Sequence, residues 1–182
     1  IWMAMNPSTK DKYIYMEHKE AGKDTAYHAK VIKATNNMIG VRKPIYVIDS
    51  QAKAKEHSSG SSSYQIYAKH GITPRLGTKK LIDGNMKLNS SLKIEEIDGF
   101  RYSKTHISKE CTRLIQEIGQ YQRAPETNIQ NRERFIDKNN DLIAAWRYAN
   151  WELDKLTYGD MEDFVDYNNN GYIRKGSLLT GY

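Results

Sequence analysis

Residues 44–49, Pro-Ile-Tyr-Val-Ile-Asp, form the most apolar strand-like stretch of the chain. A short continuous apolar run of this kind is typical of a strand that is buried on both faces of a sheet. The run ends in Asp49, so it would deliver a carboxylate to the C-terminal edge of that sheet. Upstream, residues 1–6 and 12–19 have strand composition and are separated by an Asn-Pro-Ser turn at residues 6–8, which predicts a hairpin.

The rest of the chain alternates helical and strand patterns. Asp24 is a candidate N-cap for the first helix, Ser108 for a later one, and the dipeptide Asp98-Gly99 suits a hairpin turn. Together these patterns predict an α/β fold with helices on both faces of the sheet. The predicted helices cover residues 24–37, 63–70, 78–92, 108–120 and 139–155, with strand pairing near 72–76 and 94–104.

Length and composition indicate one domain, over residues 1–155, followed by a tail or extension at residues 156–182 that is rich in Asn, Gly and Tyr. No stretch approaches the ~20 apolar residues of a membrane span. The first residues lack the basic flank and longer apolar run of a signal peptide, and they begin inside a predicted strand, which suggests a fragment of a longer protein. The single cysteine, Cys111, excludes a disulfide framework and a cysteine-based zinc site within one chain.

The chain is basic, with a formal net charge of +6 and a pI near 9.2. A basic domain favours polyanionic partners, of which nucleic acid is the commonest. A basic surface that serves only solubility remains open as the alternative at this stage.

Two acids stand where a metal-dependent nuclease would need them. Asp49 ends the buried strand, and Asp141 opens the last predicted helix. Hydrolysis of a phosphodiester by two divalent ions, about 4 Å apart, uses carboxylate ligands of this kind. The structural alternative is that Asp49 is a turn residue and that Asp141 complements the dipole of its helix.

The order of these segments resembles the nuclease domain of phage terminase large subunits. The resemblance covers residues 1–155 and is carried by residues 3–8, 13–17, 46–50 and 70–80, and most specifically by residues 140–149, Asn-Asp-Leu-Ile-Ala-Ala-Trp-Arg-Tyr-Ala. It implies an RNase H-like mixed central sheet flanked by helices. It also implies a two-metal endonuclease using Mg²⁺ or Mn²⁺, which cuts concatemeric double-stranded viral DNA during genome packaging.

The resemblance assigns Asn6, Asp49 and Asp141 as catalytic and metal-binding residues. Two positions depart from the family pattern: Asn6 stands where an aspartate is usual, and Ala144 stands where an acid commonly precedes the Ala-x-Arg-Tyr stretch. An amide oxygen can coordinate a metal, but the loss of one negative charge weakens divalent binding. Asp141 lies one helical turn before Ala144, on nearly the same face.

The lysines that follow the Asp49 strand are candidates for holding DNA phosphates: Lys53, Lys55, Lys79 and Lys80. A solvated lysine face is the alternative. The resemblance further implies an ATPase domain N-terminal to this segment, and a portal and a small terminase subunit as partners. It implies a location in the host cytoplasm, docked transiently on the procapsid, without membrane contact or secretion.

Two other functions fit the same residues. Asn6 and Ala144 suggest a DNA-binding or assembly module of the packaging motor with weakened cleavage. A different RNase H-like enzyme, such as a junction resolvase, is a third hypothesis. The terminase-like sequence of residues 140–149 argues against it.

Overall fold

The computed structural model describes residues 1–55, 60–78, 80–121 and 140–156, together with the backbone of Ser177–Gly181. Within these residues the strands are β1 Trp2–Met5, β2 Lys12–Met16, β3 Ile45–Ile48, β4 Arg75–Leu76, β5 Ile94–Ile97, β6 Phe100–Ser103, β7 Thr105–Ile107 and β8 Ser177–Gly181. The helices are α1 Thr25–Met38, α2 Ser63–Lys69, α3 Leu81–Ser91, α4 Thr112–Gln120 and α5 Asp141–Leu153, with a 3₁₀ helix at Ser50–Lys53.

Six strands form one mixed sheet in the order β4-β3-β8-β1-β2-β7, and β5 and β6 form a separate hairpin. Strand β8 runs parallel to β3 and antiparallel to β1. Strands β1 and β3 therefore point in opposite directions, although both belong to the same sheet. The hairpin β1–β2 is antiparallel, and β7 adds to β2 in parallel.

Helices cover both faces of the sheet, so the protein has three layers. On one face, α1 and α2 enclose a core that includes Trp2, Ile32 and Tyr67. On the other face, α3, α4 and α5 enclose a larger core that includes Met3 and Trp146. Successive side chains of a strand point to opposite faces, and Trp2 and Met3 accordingly enter different cores.

Two helices begin at caps from their own sequence. The Asp24 carboxylate accepts a hydrogen bond from the backbone N–H of Tyr27 at 2.7 Å at the start of α1. Ser62 and Gln65 form a reciprocal capping box at the start of α2, with bonds of 2.9 and 3.2 Å.

Helices α4 and α5 begin at carboxylates supplied by distant segments. Glu17, just after β2, accepts the backbone N–H groups of Arg113 and Leu114 at 2.9 and 2.8 Å. The buried Glu117 of α4 accepts those of Leu142 and Ile143 at 2.9 and 3.1 Å. Neither helix has a side-chain cap from its own N-cap residue, so these carboxylates satisfy N–H groups that would otherwise lack partners.

The predicted α/β class is confirmed, as are the first hairpin, the buried strand ending before Asp49, and the hairpin at Asp98-Gly99. The predicted helices are all present with shifted ends. The RNase H-like arrangement stays a prediction.

Two sequence expectations were wrong. Ser108 does not cap α4: its backbone N–H bonds to the carbonyl of Ile14 at 2.8 Å, because residues 105–107 form a strand and the helix begins only at Thr112. Residues 156–182 were predicted to be a tail or extension following a domain at residues 1–155, but Ser177–Gly181 form β8 in the interior of the sheet. Residues 157–176 lie outside the described part. Among the helices that the structure describes, none has the length and apolar character needed to cross a membrane.

Candidate functional site

Asn6 ends β1 and shapes the turn that leads to β2. Its side-chain oxygen accepts the backbone N–H groups of Ser8 at 2.9 Å and Thr9 at 3.3 Å. Its own N–H and carbonyl bond to Asp11 and Lys10, respectively, at 2.8 Å. This is an Asx-type turn, and it accounts for an asparagine at this position without a metal.

Asp49 follows β3 and caps the 3₁₀ helix. One carboxylate oxygen accepts the backbone N–H of Gln51 at 2.9 Å and lies 3.3 Å from the Ser50 hydroxyl. Asp49 also faces Tyr148 of α5. Burial raises the pKa of the Tyr148 hydroxyl, a hydrogen bond from Arg147 acts in the opposite direction, and the Asp49 carboxylate adds to the increase.

Asp141 is the first residue of α5 and is strongly exposed, with 76% of its side chain accessible. Its carboxylate lies 2.9 Å from Lys19 Nζ, and the same ammonium lies 2.7 Å from the buried carboxylate of Glu117. Asp141 is therefore held in a surface ion-pair network at the end of β2.

The strand directions decide which of the three predicted ligands can meet. Met3 of β1 and Ile45 of β3 both pair with Leu179 of β8. Asn6 lies three residues beyond Met3, and Asp49 lies four residues beyond Ile45 in the opposite direction. At about 3.3 Å per residue, Asn6 and Asp49 are separated by roughly 20 Å along the strands. Asp141 lies with Lys19 at the Asp49 edge, so the predicted convergence is not met for Asn6.

Asp49 and Asp141 share an edge but follow different parts of the sheet. The strand before Asp49 and the strand before Lys19 are separated by β8 and β1, which amounts to about 14 Å at the usual strand spacing. Within the side chains that the structure describes, no group of three or more His, Cys, Asp or Glu is close enough to hold a metal ion. The two-metal site therefore stays a prediction.

Three of the four lysines predicted to bind DNA lie in the described part of the chain. Lys53 is on the 3₁₀ helix, and its ammonium lies 5.4 Å from the centre of the Tyr64 ring. Lys55 pairs with Ser62 through an isolated antiparallel backbone β-bridge. Lys80 precedes α3 and lies 3.7 Å from Asp83. Lys79 lies outside the described residues.

The positive charge of the chain is concentrated in one segment. Residues 21–80 contain eleven Lys and Arg against three Asp and Glu, a net charge of +8, whereas the whole chain carries +6 and the rest therefore nets −2. This segment supplies α1, the 3₁₀ helix and α2. In the described part, every Lys and Arg of the segment is exposed.

Five of these lysines have no carboxylate within 4 Å among the described residues, and they define what we call the α1–α2 surface: Lys30, Lys33, Lys53, Lys55 and Lys69. Lys33 Nζ lies 3.6 Å from the position of a Cβ on Gly71, so Lys33 of α1 reaches the segment just after α2. Exposed lysines on the same side of the sheet create a positive potential that attracts a polyanion.

Sequence reasoning missed Arg147, which it treated only as part of a matching helix. The residue is 7% exposed, and its guanidinium stacks on the Tyr148 ring at 5.1 Å. The sequence did carry a signal for it. A helix with apolar residues on nearly every face is buried, so an arginine in its middle is expected to be buried as well.

Comparison of the chain with protein-family models, with curated protein sequences and with solved structures gives no significant match.

Proposed function

We propose that this chain is a nucleic-acid-binding α/β domain that holds phosphates on the α1–α2 surface. The observation that carries the proposal is the charge segregation, which places a net charge of +8 in residues 21–80 and leaves the remainder slightly negative. Five exposed lysines that lack a carboxylate partner in the described part of the chain are suited to sequence-independent contacts with a phosphate backbone.

The resemblance of residues 140–149 to the closing helix of terminase nuclease domains supports a more specific setting. In that setting the nucleic acid is double-stranded viral DNA, the domain is RNase H-like, and an ATPase domain of the same protein, a portal and a small terminase subunit are its partners. The site of action is then the host cytoplasm, at the procapsid. Of the two packaging hypotheses, the DNA-binding or assembly module fits the separation of Asn6 from Asp49.

The test is a duplex-binding titration by fluorescence anisotropy over a range of salt concentrations. Neutralising Lys30 and Lys33 together (K30Q/K33Q) removes two phosphate contacts, so we expect the slope of log K against log salt to become shallower by about 2. The matched control is K104Q/K109Q, which removes the same charge from exposed lysines flanking β7, the strand farthest from β4 in the sheet. Equal effects of the two double variants, or a wild-type affinity without salt dependence, would reject the α1–α2 surface as the binding site.

The second candidate is the metal-dependent endonuclease. It is favoured by the position of Asp49 and Asp141 at the same edge of the sheet. Plasmid nicking with Mg²⁺ or Mn²⁺ tests it: cleavage abolished by Asp49→Ala supports the nuclease, and intact DNA binding without cleavage in the wild type supports the binding module alone. Asn6→Asp is a further variant, because a rise in cleavage would place residue 6 among the metal ligands despite its distance from Asp49.

A further inference from the structure

Arg147 is a buried cation that has no carboxylate partner among the residues that the structure describes. An isolated charge in a protein interior is costly, and buried arginines are normally paired. The two other buried polar residues of α5 do have partners: Asn150 accepts a hydrogen bond from Lys12 at 2.7 Å, and Glu152 faces Lys155 and Arg75.

The guanidinium of Arg147 makes few bonds of its own. Its Nε is buried and has no hydrogen-bond partner. One terminal nitrogen donates to the Tyr148 hydroxyl at 3.5 Å, which is at the limit of a hydrogen bond. The Asp49 carboxylate also acts on this hydroxyl, and no ion pair between Asp49 and Arg147 is present in the described part of the chain. The Nε donor of the guanidinium is therefore unused, and one terminal nitrogen makes only a long bond.

The surroundings of Arg147 are suited to an anion. A Cβ on Gly84, in the first turns of α3, would lie 2.5 Å from Arg147 Cγ and Cδ, so α3 passes directly over the side chain. Helix α3 has eleven residues, and its N-terminus has no side-chain cap. Its unpaired N–H groups and the positive end of its dipole lie one turn from Gly84. The acid of that turn, Asp83, faces Lys80.

We propose that Arg147 anchors a subsite for a phosphoryl group between α3 and α5. The tetrahedral oxyanion accepts N–H bonds from the guanidinium fork, which matches its geometry, and gains from the uncapped start of α3. The subsite belongs to the helical layer opposite α1 and α2, so it is separate from the α1–α2 surface. The phosphoryl group comes either from a free phosphate or nucleotide or from a nucleic-acid backbone.

The first measurement is a titration of the wild-type protein with inorganic phosphate, followed through the Nε–Hε NMR signals of its arginines. Chloride replaces phosphate at equal ionic strength in the reference samples. A saturable shift of the Arg147 signal supports the subsite. A shift that is absent with phosphate and also with a short duplex, or that is shared equally by exposed arginines such as Arg101, overturns the proposal.

The second measurement is the melting temperature of the wild type, Arg147→Met and the control Arg101→Met in low millimolar phosphate. A ligand that binds only the folded state raises the wild-type and R101M melting temperatures by about 3–5 °C for each tenfold rise above its Kd. The R147M protein should not respond. An equal response of R147M shows general stabilisation by phosphate and overturns the proposal. If R147M does not fold, the wild-type NMR titration still decides.

The same NMR titration distinguishes the sources. Inorganic phosphate or a deoxynucleoside monophosphate that shifts the Arg147 signal alone shows that a free phosphate suffices. A shift that requires a short duplex assigns the subsite to the nucleic-acid backbone, and a duplex that binds without moving the Arg147 signal rejects that source. Loss of duplex binding in K30Q/K33Q with an unchanged phosphate response would separate the α1–α2 surface from this subsite.

Discussion

The Glu117 carboxylate connects three parts of the protein, and its removal is the sharpest test of how α5 is held. The side chain is buried, with the residue 5% exposed, and one oxygen accepts the N–H groups of Leu142 and Ile143. The other oxygen lies 2.7 Å from Lys19 Nζ. Glu117→Ala leaves two N–H groups without an acceptor at the start of α5, while Lys19 keeps Asp141 as a partner.

The expected loss follows from these bonds. Removal of a helix cap costs about 0.5–2 kcal/mol, and each buried donor left without a partner costs about 1–3 kcal/mol, so the free energy of unfolding should fall by about 2–4 kcal/mol. In a chain of this length that corresponds to a melting temperature lower by about 6–12 °C. Glu117→Gln retains an acceptor and should lose about 1 kcal/mol.

The assay is urea unfolding followed by circular dichroism, with Gln116→Ala as the control. Gln116 is the exposed neighbour of Glu117 on the same helix, so its replacement changes the helix without touching α5. The slope of the free energy against urea should be unchanged in all variants. A loss below about 1 kcal/mol for E117A, or an equal loss for Q116A, would show that α5 begins without help from α4.

Three further predictions concern packing and pH. Gly84→Ala should destabilise the protein by about 1–3 kcal/mol in urea unfolding, because its Cβ would overlap the buried stem of Arg147, whereas Gly119→Ala, with open space around it, should be neutral or stabilising. Burial would raise the pKa of Asp154, but hydrogen bonds from two lysines hold it below its usual value of 3.8. The resulting stability is present above pH 3.8 and is lost as the pH falls through the lower folded value, so Asp154→Asn should flatten the acid side of the stability profile. Burial raises the pKa of the Cys111 thiol from 9.0 to about 11, so its contribution is present below pH 9 and is lost between about 9 and 11. Cys111→Ala should remove that alkaline decline, and an unchanged decline would contradict the burial of the thiol.

The parts of the fold that were predictable from sequence are those with local causes. The side chain of Asp24 caps a helix three residues away, and Asp98-Gly99 turns a hairpin whose strands are adjacent in the chain. Glu17 and Glu117 could not be recognised as caps, because their helices begin far along the chain. Their role depends on packing that no local pattern records.

The candidate site was predictable to a smaller extent, for the same reason. The end of β3 at Asp49 was readable from its apolar run, but the edge of the sheet at which Asn6 would lie depends on the relative direction of β1 and β3. That direction is determined by β8, which pairs with both strands. Similarly, the helical position of Arg147 was predictable from sequence. Which side chains surround it depends on the packing of α3 against α5, and no local pattern gives that.

Strand β8 also determines when the sheet can be completed. Residues 177–181 pair with Trp2–Met5 at one side and with Ile45–Val47 at the other, so they join the strand pair β3–β4 to the group β1–β2–β7. Until residues 177–181 are in place, the two groups of strands each present an unpaired edge. The main sheet therefore cannot be completed before residues 177–181 have been made. Its folding rate should be limited by the pairing of β8 with β1, because these strands are more than 170 residues apart in sequence.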